Sequence, residues 1–214
     1  MVSMILTGLY ETLLMTAASS FFSYVIGIPL GVILVVSDTN GIKPMPVLNG
    51  VLGSVINLIR SVPFMILLIM VIPLTRLMVG TSIGPVAVIP PLVIAAAPYI
   101  ARMVESSLKE VDAGVIEAAK SMGASNMQII FKVLLPESKP SLLVGAAISV
   151  TTILGYSAMA GFTGGGGLGT IAINYGYYRR KTLVMIVAVA LIVLMVQLFQ
   201  TIGSKLASMC DKRL

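Results

Sequence analysis

Residues 183–202 read LVMIVAVALIVLMVQLFQTI, a run without a charged side chain. A helix that crosses the hydrocarbon core of a bilayer needs about 20 mostly apolar residues. This run has that length, so it predicts a membrane-spanning helix. The same criterion selects four more stretches, at about residues 13–36, 51–74, 83–100 and 141–162.

The composition of the whole chain agrees with a membrane protein. Hydrophobic residues make up 57% of the 214 residues and charged residues only 10%, whereas a soluble domain is about one quarter charged. We therefore expect one all-α integral membrane domain over residues 1–214, with five spans. The basic residues are scattered, which argues against nucleic-acid binding. His is absent, so imidazole ligands are excluded and no metal site is expected.

The basic residues outside the spans predict the orientation of the chain. Short cytoplasmic loops are enriched in Lys and Arg. With the N-terminus outside and the C-terminus inside, the outer side receives Arg76 and the cluster Arg179-Arg180-Lys181. This cluster is an exception to the rule, and the sequence assigns it no role. The cytoplasmic side receives more basic residues, namely Lys43, Arg102, Lys109, Lys120, Lys132, Lys139, Lys205, Lys212 and Arg213.

The segment between the third and fourth spans, at about residues 105–138, is too charged to enter lipid. Asp112 can cap a helix that begins at about Ala113, because its carboxylate can accept the free amide hydrogens of the first turn. Gly123 then permits a left-handed turn that ends this helix.

A second short helix is predicted directly after that turn. Ser125 and Gln128 have the spacing of a capping box. Pro136 lacks an amide hydrogen and disfavours helix before it, so we expect the helix to end at about Leu135. The sequence thus predicts a helix, a sharp turn and a second helix in a cytoplasmic segment.

An apolar stripe at helical spacing lies on the second helix. One interpretation is that the stripe rests on the membrane surface or on the neighbouring span. The other is that it inserts into a groove of a partner protein. Spacing alone leaves the two about equally supported. The stripe consists of Ile129, Ile130, Val133 and Leu134.

This segment resembles the EAA loop of the permease subunits of ABC importers. The family pattern reads E-A-A-x3-G-x9-I-x-L-P. The chain matches it at Glu117, Ala118, Ala119, Gly123, Leu135 and Pro136, with Val133 in place of Ile. The resemblance implies a type I importer architecture in which these residues couple the permease to a separate ATPase subunit.

Other segments resemble the methionine-importer group of these permeases. That resemblance implies a homodimer in the bacterial inner membrane, with two ATPase subunits that bind ATP and Mg, an extracytoplasmic solute-binding lipoprotein and membrane lipid as partners. It implies import of L- or D-methionine, or of another small amino acid or a small peptide. The segments are residues 60–64 (RSVPF), 97–102 (APYIAR), 155–159 (GYSAM) and 165–169 (GGGLG).

The glycine run after the fourth span does not have the pattern of a nucleotide-binding loop. A P-loop requires Lys and Ser or Thr directly after its last glycine, whereas Leu168 and Gly169 follow here. The chain therefore has no visible ATP site of its own and is not expected to be an enzyme. We expect a flexible outer turn with an exposed backbone that contacts a binding protein, carried by Gly165, Gly166, Gly167 and Gly169.

Candidate residues of a transport pathway lie on the second and fourth spans. Gly145, Ser149, Thr152 and Tyr156 share one face of the fourth span. Small and hydroxyl residues in such a stripe either pack against another helix or line a path that water can reach. Arg60 interrupts the second span. It either faces a cavity or extends its side chain to the cytoplasmic headgroups, the interpretation that we favour slightly.

Two other functional classes remain as alternatives. An intramembrane enzyme needs acids, bases or metal ligands that converge at bilayer depth, and Arg60 is the single charged residue within the predicted spans. A channel needs a filter of carbonyl or charged rings. No such filter is evident in the sequence, although the glycine run leaves a channel open.

Overall fold

The computed structural model describes residues 1–210, which form helices and turns without a strand. Lys212 and Arg213, two of the basic residues on which the orientation rests, lie outside the described residues. Wider π-turns cover Ile130–Leu134 and Ala172–Tyr178, and a 3₁₀ turn covers Ala160–Thr163. The α-helices are α1 (Val2–Ser37), α2 (Pro46–Arg60), α3 (Phe64–Met70), α4 (Ile72–Val79), α5 (Pro85–Lys109), α6 (Ala113–Ser121), α7 (Asn126–Ile129), α8 (Leu135–Glu137), α9 (Lys139–Met159), α10 (Gly167–Ile171) and α11 (Thr182–Cys210).

Four helical segments of the described chain are long and apolar enough to cross a membrane. They are α1, α5, α9 with the turn that follows it, and α11. The pair α2 and α3 passes the same test together but is bent by 99°. The number of candidate spans is therefore four, or five if the bent pair counts as one.

The predicted span over residues 51–74 does not form one continuous helix. The helix breaks after Arg60, and Pro63 stands at the start of α3 with φ −57° and ψ 135°. Proline has no amide hydrogen and disfavours helical geometry at the residue before it. Hydropathy does not reveal this break, because apolar residues continue on both sides of it.

The other helices extend beyond the predicted apolar stretches. α1 begins at Val2, α5 continues to Lys109, and α11 continues to Cys210. Glu105 and Lys109 therefore belong to α5 rather than to the loop predicted over 105–138. Their side chains pair at 2.9 Å one turn apart, which stabilises the charged end of the helix.

The bundle is centred on the contact of α1 with α5. Gly27 and Gly31 of α1 lie against α5, and a β-carbon on Gly31 would stand 2.6 Å from the carbonyl oxygen of Ala101. The absence of side chains at these two positions lets the helix backbones approach closely. Beside this contact, the largest buried cluster joins α5 to the segment that follows it, and includes Ile100, Val104, Leu108, Ile129, Leu134 and Ile153.

Candidate functional site

Residues 112–137, here called the EAA segment, begin with the predicted helix. The Asp112 side chain accepts a hydrogen bond of 2.7 Å from the amide of Gly114, at the start of α6. Gly123 adopts φ +79° directly after the helix. That conformation is costly for residues with a β-carbon. Both the cap and the left-handed turn are confirmed.

The second helix also begins as predicted but does not end as predicted. The Ser125 amide donates to the Gln128 side chain at 2.8 Å, and the Gln128 amide donates to the Ser125 hydroxyl at 3.4 Å, which completes the capping box. The chain then widens into the π-turn Ile130–Leu134 and continues helically through Pro136 to Glu137. Pro136 stands in the first turn of α8, where a missing amide hydrogen is tolerated.

The apolar stripe of this helix is buried. Ile129 and Leu134 are 0% exposed, Ile130 is also buried, and Val133 is partly buried against the same core. The stripe thus rests on the neighbouring span, one of the two interpretations that spacing left open. For these residues the alternative, insertion into a partner's groove, is wrong.

A different set of apolar side chains faces away from the bundle. Met122, Met127 and Phe131 are 81%, 62% and 60% exposed. Their exposure was not predicted from the sequence. With them, the EAA segment presents an exposed apolar surface.

The residues that match the EAA pattern divide between this surface and the core. Ala119 is buried and Leu135 is partly buried. The other four are exposed, namely Glu117, Ala118, Gly123 and Pro136. No atom lies within 4 Å of a β-carbon added at Gly123. The segment is therefore anchored on one side and open on the other.

A chain of ion pairs lies next to the EAA segment. Arg102 pairs with Glu105 at 2.7 Å, Glu105 pairs with Lys109 at 2.9 Å, and Lys109 pairs with Asp38 at 2.7 Å. Arg102 also donates to the Gly53 carbonyl at 3.1 Å. These contacts connect α2, α5 and the end of α1.

Asp38 is the outer member of this ion-pair chain. The hydrogen bond from Lys109 lowers the pKa of the Asp38 carboxyl below its usual value, and hydrogen bonds from Thr39 act in the same direction. The side chain is 31% exposed. Solvent therefore weakens the pairing, and its contribution to stability is small.

Two cavities meet at the break between α2 and α3. The first, here called the break cavity, holds about 140 Å³ and is lined by Arg60, Phe64, Tyr99 and Tyr156 among others. The Phe64 and Tyr156 rings stack with their centroids 4.6 Å apart. The second, here called the α5–α9 cleft, holds about 380 Å³ and is also lined by Arg60 and Tyr99.

The structure brings two of the four predicted pathway residues together. Arg60 and Tyr156 line the break cavity. Ser149 is fully buried and donates to the Gly145 carbonyl at 2.8 Å, so it packs within the bundle. Thr152 is partly buried and donates to the Ile148 carbonyl at 2.8 Å. Much of the small-residue stripe thus serves helix packing.

The glycine segment, residues 163–178, is not the flexible exposed turn that we expected. Gly165, Gly167 and Gly169 are buried, and Gly166 is partly buried. A β-carbon on Gly169 would meet the backbone of Ala158. The expectation fails because glycine here permits close packing of backbones rather than mobility.

Side chains of α1 hold the glycine segment in place. The Glu11 carboxylate accepts a hydrogen bond of 2.6 Å from the Gly167 amide, and the Thr12 hydroxyl accepts one of 2.9 Å from the Leu168 amide. Glu11 lies within α1, two residues before the predicted first span. Its role was not predicted from the sequence, since no local pattern links Glu11 to residues 156 positions later.

Comparison with known proteins identifies the family of the chain. Residues 24–213 match the family described as "Binding-protein-dependent transport system inner membrane component". A Vibrio cholerae relative named "Probable D-methionine transport system permease protein MetI" is 47% identical, over 98% of this chain and 93% of the relative. An Escherichia coli K12 relative, "D-methionine transport system permease protein MetI", is 50% identical over 75% of this chain and 74% of its own.

A solved structure agrees with these sequence matches. It is titled "Inward facing conformations of the MetNI methionine ABC transporter" and matches with a TM-score of 0.97 and 45% identity, over 99% of this chain and 98% of the solved one. The fold of residues 1–210 is thus the ABC permease fold. The chain belongs to the family of binding-protein-dependent transport system inner membrane components.

Proposed function

We propose that this chain is the membrane permease subunit of an ATP-driven importer for L- or D-methionine or a related small amino acid. The exposed surface of the EAA segment, which stands on a buried apolar base, carries the proposal. The relatives named as D-methionine permeases and the likeness to a methionine ABC transporter support the solute class.

In this proposal the chain works as a homodimer with two ATPase subunits. ATP and Mg bind to those subunits, and this chain contributes no catalytic site. A solute-binding lipoprotein delivers the solute at the outer face of the bacterial inner membrane, and lipid surrounds the apolar helices. A transporter likeness over nearly the whole chain supports this assembly.

The proposed topology has one domain over residues 1–214 and five spans, with the N-terminus outside and the C-terminus inside. The bent pair α2–α3 forms the second span in this topology. The excess of Lys and Arg on the side of the EAA segment supports the orientation. A cysteine placed at Lys132, which is exposed, should then react only with reagents that reach the cytoplasm.

Transport in this proposal follows alternating access. ATP binding brings the ATPase subunits together, and Glu117, Ala118, Ala119, Gly123, Leu135 and Pro136 transmit the motion to the spans. The chain of ion pairs from Arg102 to Asp38 links α5, which packs against the EAA segment, to α1 and α2. ATP can shift this equilibrium only by its differential affinity for the two states.

The central experiment reconstitutes the chain with its ATPase subunit and binding protein and measures uptake of a panel of amino acids. We expect methionine uptake and solute-stimulated ATP hydrolysis. Glu117→Arg should abolish the stimulation, because it reverses the charge of an exposed residue on the coupling surface. Glu137→Arg, which changes another exposed glutamate outside the matched EAA positions, is the control.

The results of this experiment decide between the proposed function and its alternatives. If no amino acid in the panel is taken up although the complex assembles normally, the result would favour a permease for small peptides. Uptake without any ATPase subunit would leave a channel. Normal stimulation in Glu117→Arg would remove the EAA segment from coupling.

A further inference from the structure

Arg60 is a cation without an acidic partner in the described part of the chain. The three ion pairs within residues 1–210 involve Arg102, Lys109 and their acidic partners, and none reaches Arg60. Arg102 shows the contrast, because its guanidinium is occupied by the Glu105 carboxylate and the Gly53 carbonyl. The guanidinium of Arg60 is free to bind an anion.

Arg60 is the last residue of α2 and is exposed in the single chain, so an anion can reach its guanidinium. A charged side chain in a membrane segment usually faces a cavity and pairs with an opposite charge. An anion that enters the cavity can supply that charge.

The two cavities around Arg60 lie next to each other. Arg60 and Tyr99 line both the break cavity and the α5–α9 cleft, so the two cavities are neighbours. The cleft continues along α5 and α9 to Glu110 and Ser141, near the EAA segment. Arg60 therefore contacts both the cleft and the break cavity.

The walls of the break cavity offer both polar groups and aromatic rings to a solute. The stacked rings of Phe64 and Tyr156 form one wall, and Val62 and Ala95 add apolar surface. Aromatic faces pack well against aliphatic and thioether groups. Guanidinium binds carboxylate through two parallel hydrogen bonds, which fixes orientation as well as charge.

We infer that Arg60 binds the carboxylate of the transported amino acid at the break between α2 and α3, while the Phe64–Tyr156 stack contacts its side chain. This inference rests on the proposed function and adds to it a solute site within the permease. The site needs no high affinity, since it holds the solute in transit.

The test measures equilibrium binding of tritiated methionine to the purified permease–ATPase complex without the binding protein. We expect saturable binding that unlabelled methionine displaces and methioninol does not, because the alcohol lacks the carboxylate. This competition uses the unmodified complex, so it does not depend on the folding of any variant. Absence of saturable binding, or equal displacement by methioninol, would overturn the inference.

Variants of Arg60 test the residue itself. Arg60→Gln should bind methionine about tenfold more weakly, because a charge-assisted bidentate pair is lost. Arg60→Lys should lie between this variant and the wild type, since it keeps the charge without the planar fork. Arg179→Gln removes an exposed guanidinium that lies over the Tyr175 ring and should bind normally.

The outcome also separates this inference from the proposed function. Wild-type binding in Arg60→Gln, combined with methionine uptake by the wild-type complex, would overturn the inference and leave the proposed function intact. No methionine uptake by the wild-type complex would instead reject the proposed function.

Discussion

The EAA segment and the glycine segment both connect spans, but different contacts hold them. The shape of the EAA segment is held by hydrogen bonds between near neighbours, at Asp112 and at Ser125. Its apolar stripe is buried against α5. The glycine segment is defined by side chains of α1, which lie 156 positions earlier. The caps of the first segment are made within the segment itself, whereas the amides of the second bond to side chains of α1.

This difference bears on how each segment can move. A segment whose caps are internal keeps its shape when it shifts as a body. A segment whose amides bond to another helix must follow that helix or lose the bonds. We therefore expect substitutions in the EAA segment to separate stability from coupling, and substitutions in the glycine segment to affect both together.

The largest effect is expected for Leu134→Ala at the buried base of the EAA segment. It should lower the free energy of unfolding by about 3 to 4 kcal/mol, because it leaves a cavity under a fully buried side chain. Phe131→Ala, which removes an exposed side chain, should change stability by less than about 0.5 kcal/mol. Denaturant unfolding of the solubilised chain gives both values.

The same pair of variants tests the exposed apolar surface of the EAA segment. Phe131→Ala should reduce solute-stimulated ATP hydrolysis by about tenfold, as expected for an aromatic anchor at an interface. Equal destabilisation by the two substitutions would contradict the division between a buried base and an exposed surface.

The next effect concerns the glycine segment. Gly169→Ala should cost about 2 to 3 kcal/mol of stability, because its β-carbon would overlap the backbone of Ala158. Gly155→Ala is the matched control, since no atom lies within 4 Å of a β-carbon there. A thermal unfolding midpoint for Gly169→Ala equal to that of the control would show that this backbone contact yields easily.

Removal of the α1 contact should have a smaller effect. Glu11→Ala leaves the Gly167 amide without its acceptor and should cost about 1.5 to 2 kcal/mol. Glu11→Gln keeps an oxygen acceptor and should recover part of that loss. Proteolysis within residues 163–178 measures local opening. Equal protection in all three proteins would show that other contacts suffice to hold the glycine segment.

The smallest effect is expected at Asp38. Its pKa is lowered in the folded protein, so its pairing stabilises the fold above the unfolded value of about 3.9 and is lost as the pH falls through the lower folded value. Asp38→Asn should cost about 0.5 kcal/mol at pH 7. Below the folded pKa the variant and the wild type should unfold alike, and a difference that persists there would refute the electrostatic assignment.

Features that depend on near neighbours were predictable from the sequence. Apolar length located the candidate spans, because a helix in lipid needs a minimum number of apolar residues. The caps at Asp112 and Ser125 and the turn at Gly123 were also predictable, since each depends on side chains within a few positions.

Features that depend on distant contacts were not predictable. The glycines among residues 165–169 are compatible with either a mobile loop or a close backbone contact. The hydrogen bonds to α1 determine which of the two forms. The exposure of Met122 and Phe131 depends on which face of the EAA segment α5 covers.

The length of α1 has a mechanical consequence. This helix holds Glu11 near one end, and Asp38 follows its other end, roughly 40 Å away at the rise of an α-helix. If α1 tilts as a rigid lever by roughly 5° about its midpoint, its two ends swing by roughly 2 Å in opposite directions. A restraint on the Glu11 end of α1 would then also hold the Asp38 end in place.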